Sequence, residues 1–108
     1  MMAARKSALL GRWRITGMEL WDAEFVGMLE PAHITFEAKG GGEFGFGAVR
    51  GDLDCRYGPD GVRFTWEGFD EMDPAFGAGS AKLAPDGSLT GVIRFHRGDE
   101  STFKARRW

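Results

Sequence analysis

The sequence is poor in cysteine, proline and histidine, and it has no long hydrophobic run. Its 108 residues include one cysteine, four prolines and two histidines. The single cysteine, Cys55, excludes an intramolecular disulfide and a zinc site built from several cysteines, and it is compatible with a reducing compartment. The apolar run at residues 8–10 is too short for the core of a signal peptide, and no segment approaches the length of a membrane span. We therefore expect a cytoplasmic protein that does not associate with membranes.

Charge of either sign is nowhere in large excess. The formal net charge is −2, although the middle of the chain is acidic and its last part is basic. A weakly negative chain does not suit general nucleic-acid binding, so we do not expect nucleic acid as a partner. A chain of this length buries only a modest core. We therefore predict a single domain over residues 1–108, with residues 1–10 as an N-terminal segment.

Helical periodicity is nearly absent, whereas period-two alternation recurs along the chain. Trp13 and Ile15 alternate with arginines, and Val62, Phe64 and Trp66 alternate with polar residues. This pattern is typical of strands that have one apolar and one solvated face. The 17 glycines, many of them in short links that also contain aspartate, supply tight turns between such strands. The alternation and the turn signals together predict eight strands.

The predicted strands need a way to bury their apolar faces. Eight short antiparallel strands can stack as two sheets or close into a barrel, and closure removes every exposed edge. We therefore predict an all-β fold, a small closed antiparallel up-and-down barrel of about eight strands. One link, residues 20–31, is long enough for a short helix or lid between strands one and two. The candidate core residues are Trp13, Phe36, Phe46, Phe64 and Phe95.

The stretch Gly-Arg-Trp at residues 11–13 opens the first strand of this pattern. It resembles the Gly-x-Trp signature of lipocalins and related calycin barrels. In those proteins the tryptophan closes one end of the barrel, and a basic residue near the end of the last strand packs across its indole. The resemblance implies that Gly11 and Trp13 close the barrel here, with Arg106 or Arg107 as the basic residue. The chain also resembles small bacterial β-barrel proteins of a family without an assigned activity.

Four carboxylates and three aromatic residues lie together in "TWEGFDEMDPAFGAG", residues 65–79. Strand alternation places Trp66 and Asp70 on the inner face at a mouth of the barrel, and Asp73 in the turn that follows. Such a mouth can bind a cationic or hydroxyl-bearing small molecule, with aromatic walls supplying most of the affinity. We therefore predict a small-molecule-binding protein of unknown ligand. The predicted ligand-binding residues are Trp66, Asp70 and Asp73, covered by Trp21 or Phe25 from the long link.

The same acidic stretch fits two other interpretations. It can be a solvated hairpin without a function of its own, with Asp73 before a proline in a turn. It can also hold two carboxylates with separated pKa values that perform acid-base catalysis. No pair of base and nucleophile is visible, so we predict no catalytic residue, and a small carboxylate-dependent enzyme is the least favoured interpretation.

A different class of function is an interaction module. Closure of the barrel would place the last strand between the first and the seventh and bring the outward residues of these three strands into one basic outer face, which suits an anionic partner. The members of this face are Arg12, Arg14, Arg94, His96, Lys104 and Arg106. Apolar residues assigned to the outer surface indicate a homodimer surface as a further option. These residues are Val49, Phe69, Val92 and Trp108.

Signals for metals and cofactors are weak. His33 and His96 have no cysteine or second histidine two or four residues away, and first-row metals usually take three or four protein donors. Both histidines are predicted to be exposed strand residues. Cys55 lies on an apolar strand face, opposite to the faces that carry the histidines, so we predict a buried structural cysteine and not a nucleophile. We predict no cofactor and no metal site.

Overall fold

The structure is a computed structural model, and it describes residues 6–108. The first half of the predicted N-terminal segment, residues 1–5, lies outside the described residues. Two short helices and eight strands follow one another along the chain. In chain order they are α1 Lys6–Leu9, β1 Gly11–Met18, α2 Ala23–Val26, β2 His33–Phe36, β3 Gly41–Phe46, β4 Val49–Gly58, β5 Gly61–Asp70, β6 Asp73–Leu83, β7 Leu89–Phe95 and β8 Glu100–Arg107.

The eight strands form a closed antiparallel barrel in which each strand pairs with the next in sequence. Closure occurs between β1 and β8, where Trp13 pairs with Arg107 and Met18 pairs with Phe103. The prediction of an all-β, up-and-down barrel is therefore confirmed. Helix α2 lies in the link between β1 and β2, as predicted, whereas α1 is a helix within the segment for which no element was predicted.

The barrel has two ends, which we define by the direction of the first strand. At the lower end β1 begins and β8 ends, and at the upper end β1 ends and β8 begins. Because all neighbours are antiparallel, the links alternate between the two ends. Residues 19–32, the turn at residues 47–48 and the tip of the β5–β6 hairpin therefore lie at the upper end. Helix α1 and the turn at residues 59–60 lie at the lower end.

Alternating side chains fill the interior of the barrel. The buried residues of β5 are Val62, Phe64 and Trp66, and those between them are exposed. Aromatic rings meet inside, for example Phe36 and Phe64 at 6.4 Å between centroids. Rings are large apolar groups and pack at such spacings in tilted and edge-to-face arrangements. The interior of this small barrel is therefore a packed core along most of its length.

The β5–β6 hairpin differs from the prediction at its turn. Its strands are 10 and 11 residues long, and Asp70 pairs with Asp73 next to the turn at Glu71 and Met72. Asp73 and the proline after it therefore begin β6 and do not belong to the turn. Glu71 has φ of 57°, a left-handed conformation that is uncommon for a residue other than glycine.

No helix among residues 6–108 has the length and apolar character that crossing a membrane would require.

Candidate functional site

The upper end of the barrel carries a cluster of aromatic rings beneath the link between β1 and β2. We call this link, residues 19–32, the lid. The indole of Trp21 lies 5.1 Å from the ring of Phe46, 5.9 Å from Phe25 and 6.2 Å from Phe95, measured between centroids. Trp21 thus closes the upper end in the structure, with Phe25 beside it. These two lid residues had been predicted to cover the mouth.

Trp66 forms the floor of this cluster. Only 3% of its surface is exposed, and its ring meets Phe44 at 5.0 Å and Phe95 at 5.2 Å, both edge-to-face. Its indole nitrogen donates a hydrogen bond to the carbonyl oxygen of Arg94 at 3.1 Å. The hydrogen bond and these two ring contacts hold Trp66 in place below Phe95, a ring that Trp21 also contacts.

The two predicted carboxylates lie at the rim of the same end. Asp70 and Asp73 are exposed and are paired across the hairpin next to its turn. The pairing of β5 with its neighbours shows no register shift at Gly68, so Asp70 keeps the same strand face as Trp66. A Cβ atom at Gly68 would lie 1.9 Å from the carbonyl oxygen of Arg50, which accounts for glycine at this point. The rim is therefore anionic and solvated, whereas the cluster below it is apolar.

Backbone hydrogen bonds fasten the lid to the barrel at several points. The amide of Gly47 donates to the carbonyl of Val26 at 2.8 Å, and the amide of Glu19 donates to Thr102 at 3.2 Å. Inside the lid, the carboxylate of Asp22 caps α2 by accepting a hydrogen bond from the amide of Phe25 at 2.9 Å. The lid therefore has a defined closed position.

An ion pair and a buried histidine hold the last part of the lid. Arg50 binds the carboxylate of Glu30 through both terminal nitrogens, and this hydrogen bonding lowers the pKa of Glu30. His33 is 2% exposed, and its Nδ1 lies 3.2 Å from the carbonyl oxygen of Pro31. The prediction of an exposed His33 is therefore wrong. Its ring lies over Gly45 in β3, where a Cβ atom would come within 3.0 Å of the imidazole.

A second tryptophan closes the lower end. Trp13 is buried, and its indole nitrogen donates to the carbonyl oxygen of Leu9 in α1 at 2.9 Å. The guanidinium carbon of Arg107 lies 4.0 Å from the centroid of the Trp13 ring. Arg107 also donates hydrogen bonds to the carbonyls of Leu10 and Ala8.

Gly11 and Arg106 have distinct positions at this lower end. Gly11 has φ of 107°, and a Cβ atom there would lie 2.9 Å from Arg107. Arg106 instead lies on the outer surface, paired with Arg14 of β1. Arg107 is therefore the basic residue that packs across the Trp13 indole, and Arg106 does not take part in this contact.

The residues of the predicted basic outer face lie in two groups. Arg12 and Arg14 extend over the ring of Trp108, with 4.1 and 6.0 Å between guanidinium carbon and centroid, and Lys104 and Arg106 occupy the adjoining β8. Nearer the upper end, Arg94 forms an ion pair with Glu100 at 3.7 Å, and His96 stacks on Phe76 at 4.6 Å. The second group lies in a depression that it shares with acidic residues.

The four apolar residues assigned to the outer surface have different environments. Phe69 and Trp108 are 54% and 52% exposed, and Val92 is partly buried. Val49 is 3% exposed and belongs to the core, so its assignment to the outer surface is wrong. The reason is that β4 begins at Val49 itself, on the same inward face as Leu53.

Two depressions mark the outer wall of the barrel. The first, of about 910 Å³, crosses β4, β5, β6, β7 and β8 below their middle and includes the β4–β5 turn. The second, of about 790 Å³, lies above it over β4 to β7. The second contains three carboxylates and the stacked ring pair Phe76 and His96. These carboxylates belong to Asp52, Asp54 and Glu67.

Nucleophile and metal chemistry have little support in the described part of the chain. Cys55 is 7% exposed, and burial raises the pKa of its thiol to about 11. A thiol with so high a pKa is almost entirely protonated near neutral pH and is a poor nucleophile. Within residues 6–108, no group of three or more histidine, cysteine, aspartate or glutamate side chains is arranged to hold a metal ion.

Comparison with known protein families, with curated proteins and with solved structures found no match to this chain. The closed eight-stranded architecture is consistent with a calycin-like fold, and it is compatible with ligand binding.

Proposed function

We propose that the chain is a small-molecule-binding barrel whose ligand occupies the upper end in place of Trp21. The ligand class is a flat aromatic or apolar compound with a cationic or hydroxyl group. Its apolar part would lie against Phe46, Phe95 and Trp66, and its polar group would face Asp70 and Asp73. Binding is reversible, and the chain acts as a single cytoplasmic domain related to lipocalins.

The observation that carries this proposal is the contrast between the two closing tryptophans. Trp13 is held by a hydrogen bond from its indole nitrogen and by the stacked guanidinium of Arg107. Trp21 is partly exposed and packs by ring contacts alone, and its indole nitrogen makes no hydrogen bond with residues 6–108. A ring without polar anchors can leave its place without stranding a buried donor, which would otherwise cost about 1–3 kcal/mol.

The chemistry beneath Trp21 supports the proposed ligand class. Aromatic rings accept flat apolar groups and cations on their faces, and a cation over a ring gains about 0.5–2 kcal/mol. The core below is already packed, so the ligand replaces the indole and does not fill an empty interior. The anionic rim then selects the orientation of the ligand, because two exposed carboxylates favour its cationic end pointing outward.

The test uses 1-naphthylmethylammonium as a probe and follows the backbone amides by NMR. We expect saturable shifts at Phe46, Phe95 and the lid. The variant Trp21→Ala should bind the probe about ten-fold more tightly, since the indole no longer competes for the place. The double variant Asp70→Asn with Asp73→Asn should bind several-fold more weakly, while Asp60→Asn at the lower end serves as the matched control.

Two outcomes would contradict the proposal. Unchanged affinity in Trp21→Ala would show that the probe does not use the place of the indole, and shifts confined to the outer wall would place binding elsewhere. Native mass spectrometry of freshly purified protein complements this test, because a retained small molecule that is lost on addition of the probe would occupy the same site.

A further inference from the structure

We propose that the first depression on the outer wall is a second, independent binding site, which takes an organic phosphate of small-molecule size. We call it the basic depression. Its volume of about 910 Å³ lies in the range of about 300–1,000 Å³ that is typical of small-molecule sites. Its charged and hydroxyl-bearing residues are Arg56, Arg63, Lys82, Lys104, Asp60, Tyr57, Ser80, Thr90 and Thr102.

Strand register places two arginines directly opposite one another in this depression. Arg56 of β4 pairs with Arg63 of β5, and both are exposed. Neither guanidinium forms an ion pair or a hydrogen bond with any residue in the described range 6–108. Like charges directly opposite on one sheet face are destabilising. An anion bound between the two guanidinium groups would attract both of them and would offset their mutual repulsion.

Two lysines complete the set of cations on the neighbouring strands. Lys82 of β6 pairs with Thr90 of β7, which pairs with Lys104 of β8. Two strand spacings of about 4.8 Å separate the lysine positions, so they lie about 10 Å apart on either side of a hydroxyl. Neither lysine has a carboxylate within ion-pair distance among the described residues. The depression therefore presents four unpaired cations around its edges.

The floor between these cations offers hydroxyl groups and an apolar side chain. Ser80 pairs with Val92, which pairs with Thr102. The row that runs from Arg63 through these residues crosses four strands in one line. A hydroxyl group can donate to a phosphate oxygen, and Val92 provides contact for an apolar body. The floor thus fits a ligand with a phosphate at one edge and an organic body across the middle.

The choice of phosphate follows from the geometry of guanidinium groups. Arginine presents paired N–H donors that match the oxygens of phosphate in a bidentate arrangement, and such charge-assisted hydrogen bonds are among the strongest in proteins. Two arginines on adjacent strands can hold two edges of one phosphoryl group. Lysine ammonium groups at the other edge act as point charges for a second anionic group or a ring hydroxyl.

The surroundings favour a small ligand over a nucleic-acid strand. The second depression, which holds Asp52, Asp54 and Glu67, adjoins the basic depression along β4 and β5. A polyanion that continued along these strands would meet three carboxylates. The net charge of −2 likewise provides no general attraction for nucleic acid. The positive field is therefore local, and it matches one or two phosphates.

The test uses inorganic pyrophosphate as the probe and follows backbone amides at constant ionic strength. We expect saturable shifts centred on Arg63, Ser80 and Thr90, and a rise in the thermal unfolding midpoint with pyrophosphate concentration. The double variant Arg56→Gln with Arg63→Gln should raise the dissociation constant at least ten-fold. It should remain folded, because it removes a repulsive pair. The control Arg14→Gln, which changes an exposed arginine outside the depression, should leave the affinity unchanged.

Three results would overturn the proposal. Shifts spread over all exposed cations, or equal shifts with sulfate at matched ionic strength, would indicate unspecific ion attraction only. A loss of affinity in Arg14→Gln as large as that in the double variant would show that Arg56 and Arg63 have no specific role. Tighter binding of a single-stranded oligonucleotide than of pyrophosphate, centred on the same residues, would assign the surface to nucleic acid. None of these results depends on the lid, so the test of this site is independent of the test of the upper-end site.

Discussion

Two arginines follow one another at the end of β8, and the structure places them in different environments. Arg107 packs across the indole of Trp13 and donates hydrogen bonds to the carbonyls of Ala8 and Leu10, whereas Arg106 lies outside beside Arg14. Replacing Arg107 by alanine removes a cation–π contact and two charge-assisted hydrogen bonds. We expect a loss of about 1–2 kcal/mol in the free energy of unfolding, measured by urea denaturation. The matched variant Arg106→Ala should change it by less than about 0.5 kcal/mol, and equal losses would contradict this assignment.

The thiol of Cys55 permits a prediction about pH. Burial raises its pKa from 9.0 to about 11, so at pH 8 the folded protein should contain about 100-fold less thiolate than the unfolded chain. Reaction with a disulfide reagent at pH 8 should be slower in buffer than in concentrated urea by at least this factor, because burial also restricts access. Equal rates in the two solvents would contradict the prediction.

The same shift has a consequence for stability. The folded state holds the thiol proton more tightly than the unfolded chain, so the unfolded chain binds fewer protons between pH 9 and 11. The free energy of unfolding should therefore fall as the pH rises through this window. Burial likewise raises the pKa of Tyr57, to about 12, so the free energy of unfolding should continue to fall above pH 11. The variant Cys55→Ala should show a smaller decline between pH 9 and 11 than the original chain.

Inward and outward faces could be predicted from the sequence because strand alternation is a local property. Val62, Phe64 and Trp66 are buried where the pattern placed them. Burial of His33 could not be predicted in this way, since the ring is covered across the sheet over Gly45 of another strand. The position of the turn at Glu71 could not be predicted either, because the sequence does not indicate that a residue other than glycine adopts a positive φ.

The lid is the element whose motion the proposed binding function requires. The amide of Gly47 in the β3–β4 turn donates to Val26 of α2, so this proton is protected only while the lid is closed. We expect it to exchange with solvent by local opening, at a rate that depends little on low concentrations of denaturant. Amides in the long β4–β5 ladder should exchange far more slowly, through global unfolding. Native-state hydrogen exchange measures both classes in one experiment.

The variant Arg50→Gln provides a second measurement on the lid. It removes the ion pair with Glu30 and should accelerate exchange at Gly47, while the amides of the β4–β5 ladder keep their rates. Arg14→Gln is the matched control, because Arg14 forms no ion pair within the described residues. Equal protection of Gly47 and of the ladder amides would mean that the lid opens only when the whole barrel unfolds, which would remove the entry route proposed for the ligand.

The distribution of charge over the wall is a property of the closed barrel and not of any single strand. Strands β4 and β5 carry acids toward their upper parts and opposed arginines toward the lower end. The sequence predicted a basic outer face from the first, seventh and eighth strands. It did not predict the basic depression, because the depression depends on the register of five strands at once. The alternation of residues along one strand does not specify which residues of the neighbouring strands lie beside them.

Closure between the first and last strands makes β8 essential to the whole fold. It pairs with both β1 and β7 and contributes the buried residues Ser101, Phe103 and Ala105. Removal of residues 100–108 would leave two unpaired edges and expose the core, so we expect no cooperative unfolding transition. Addition of a synthetic peptide of residues 99–108 should restore the transition, since strand addition re-forms both ladders. Removal of Trp108 alone, an exposed ring beside Arg12, should cost less than about 1 kcal/mol. A cooperative transition of nearly full stability after removal of residues 100–108 would contradict the requirement for closure.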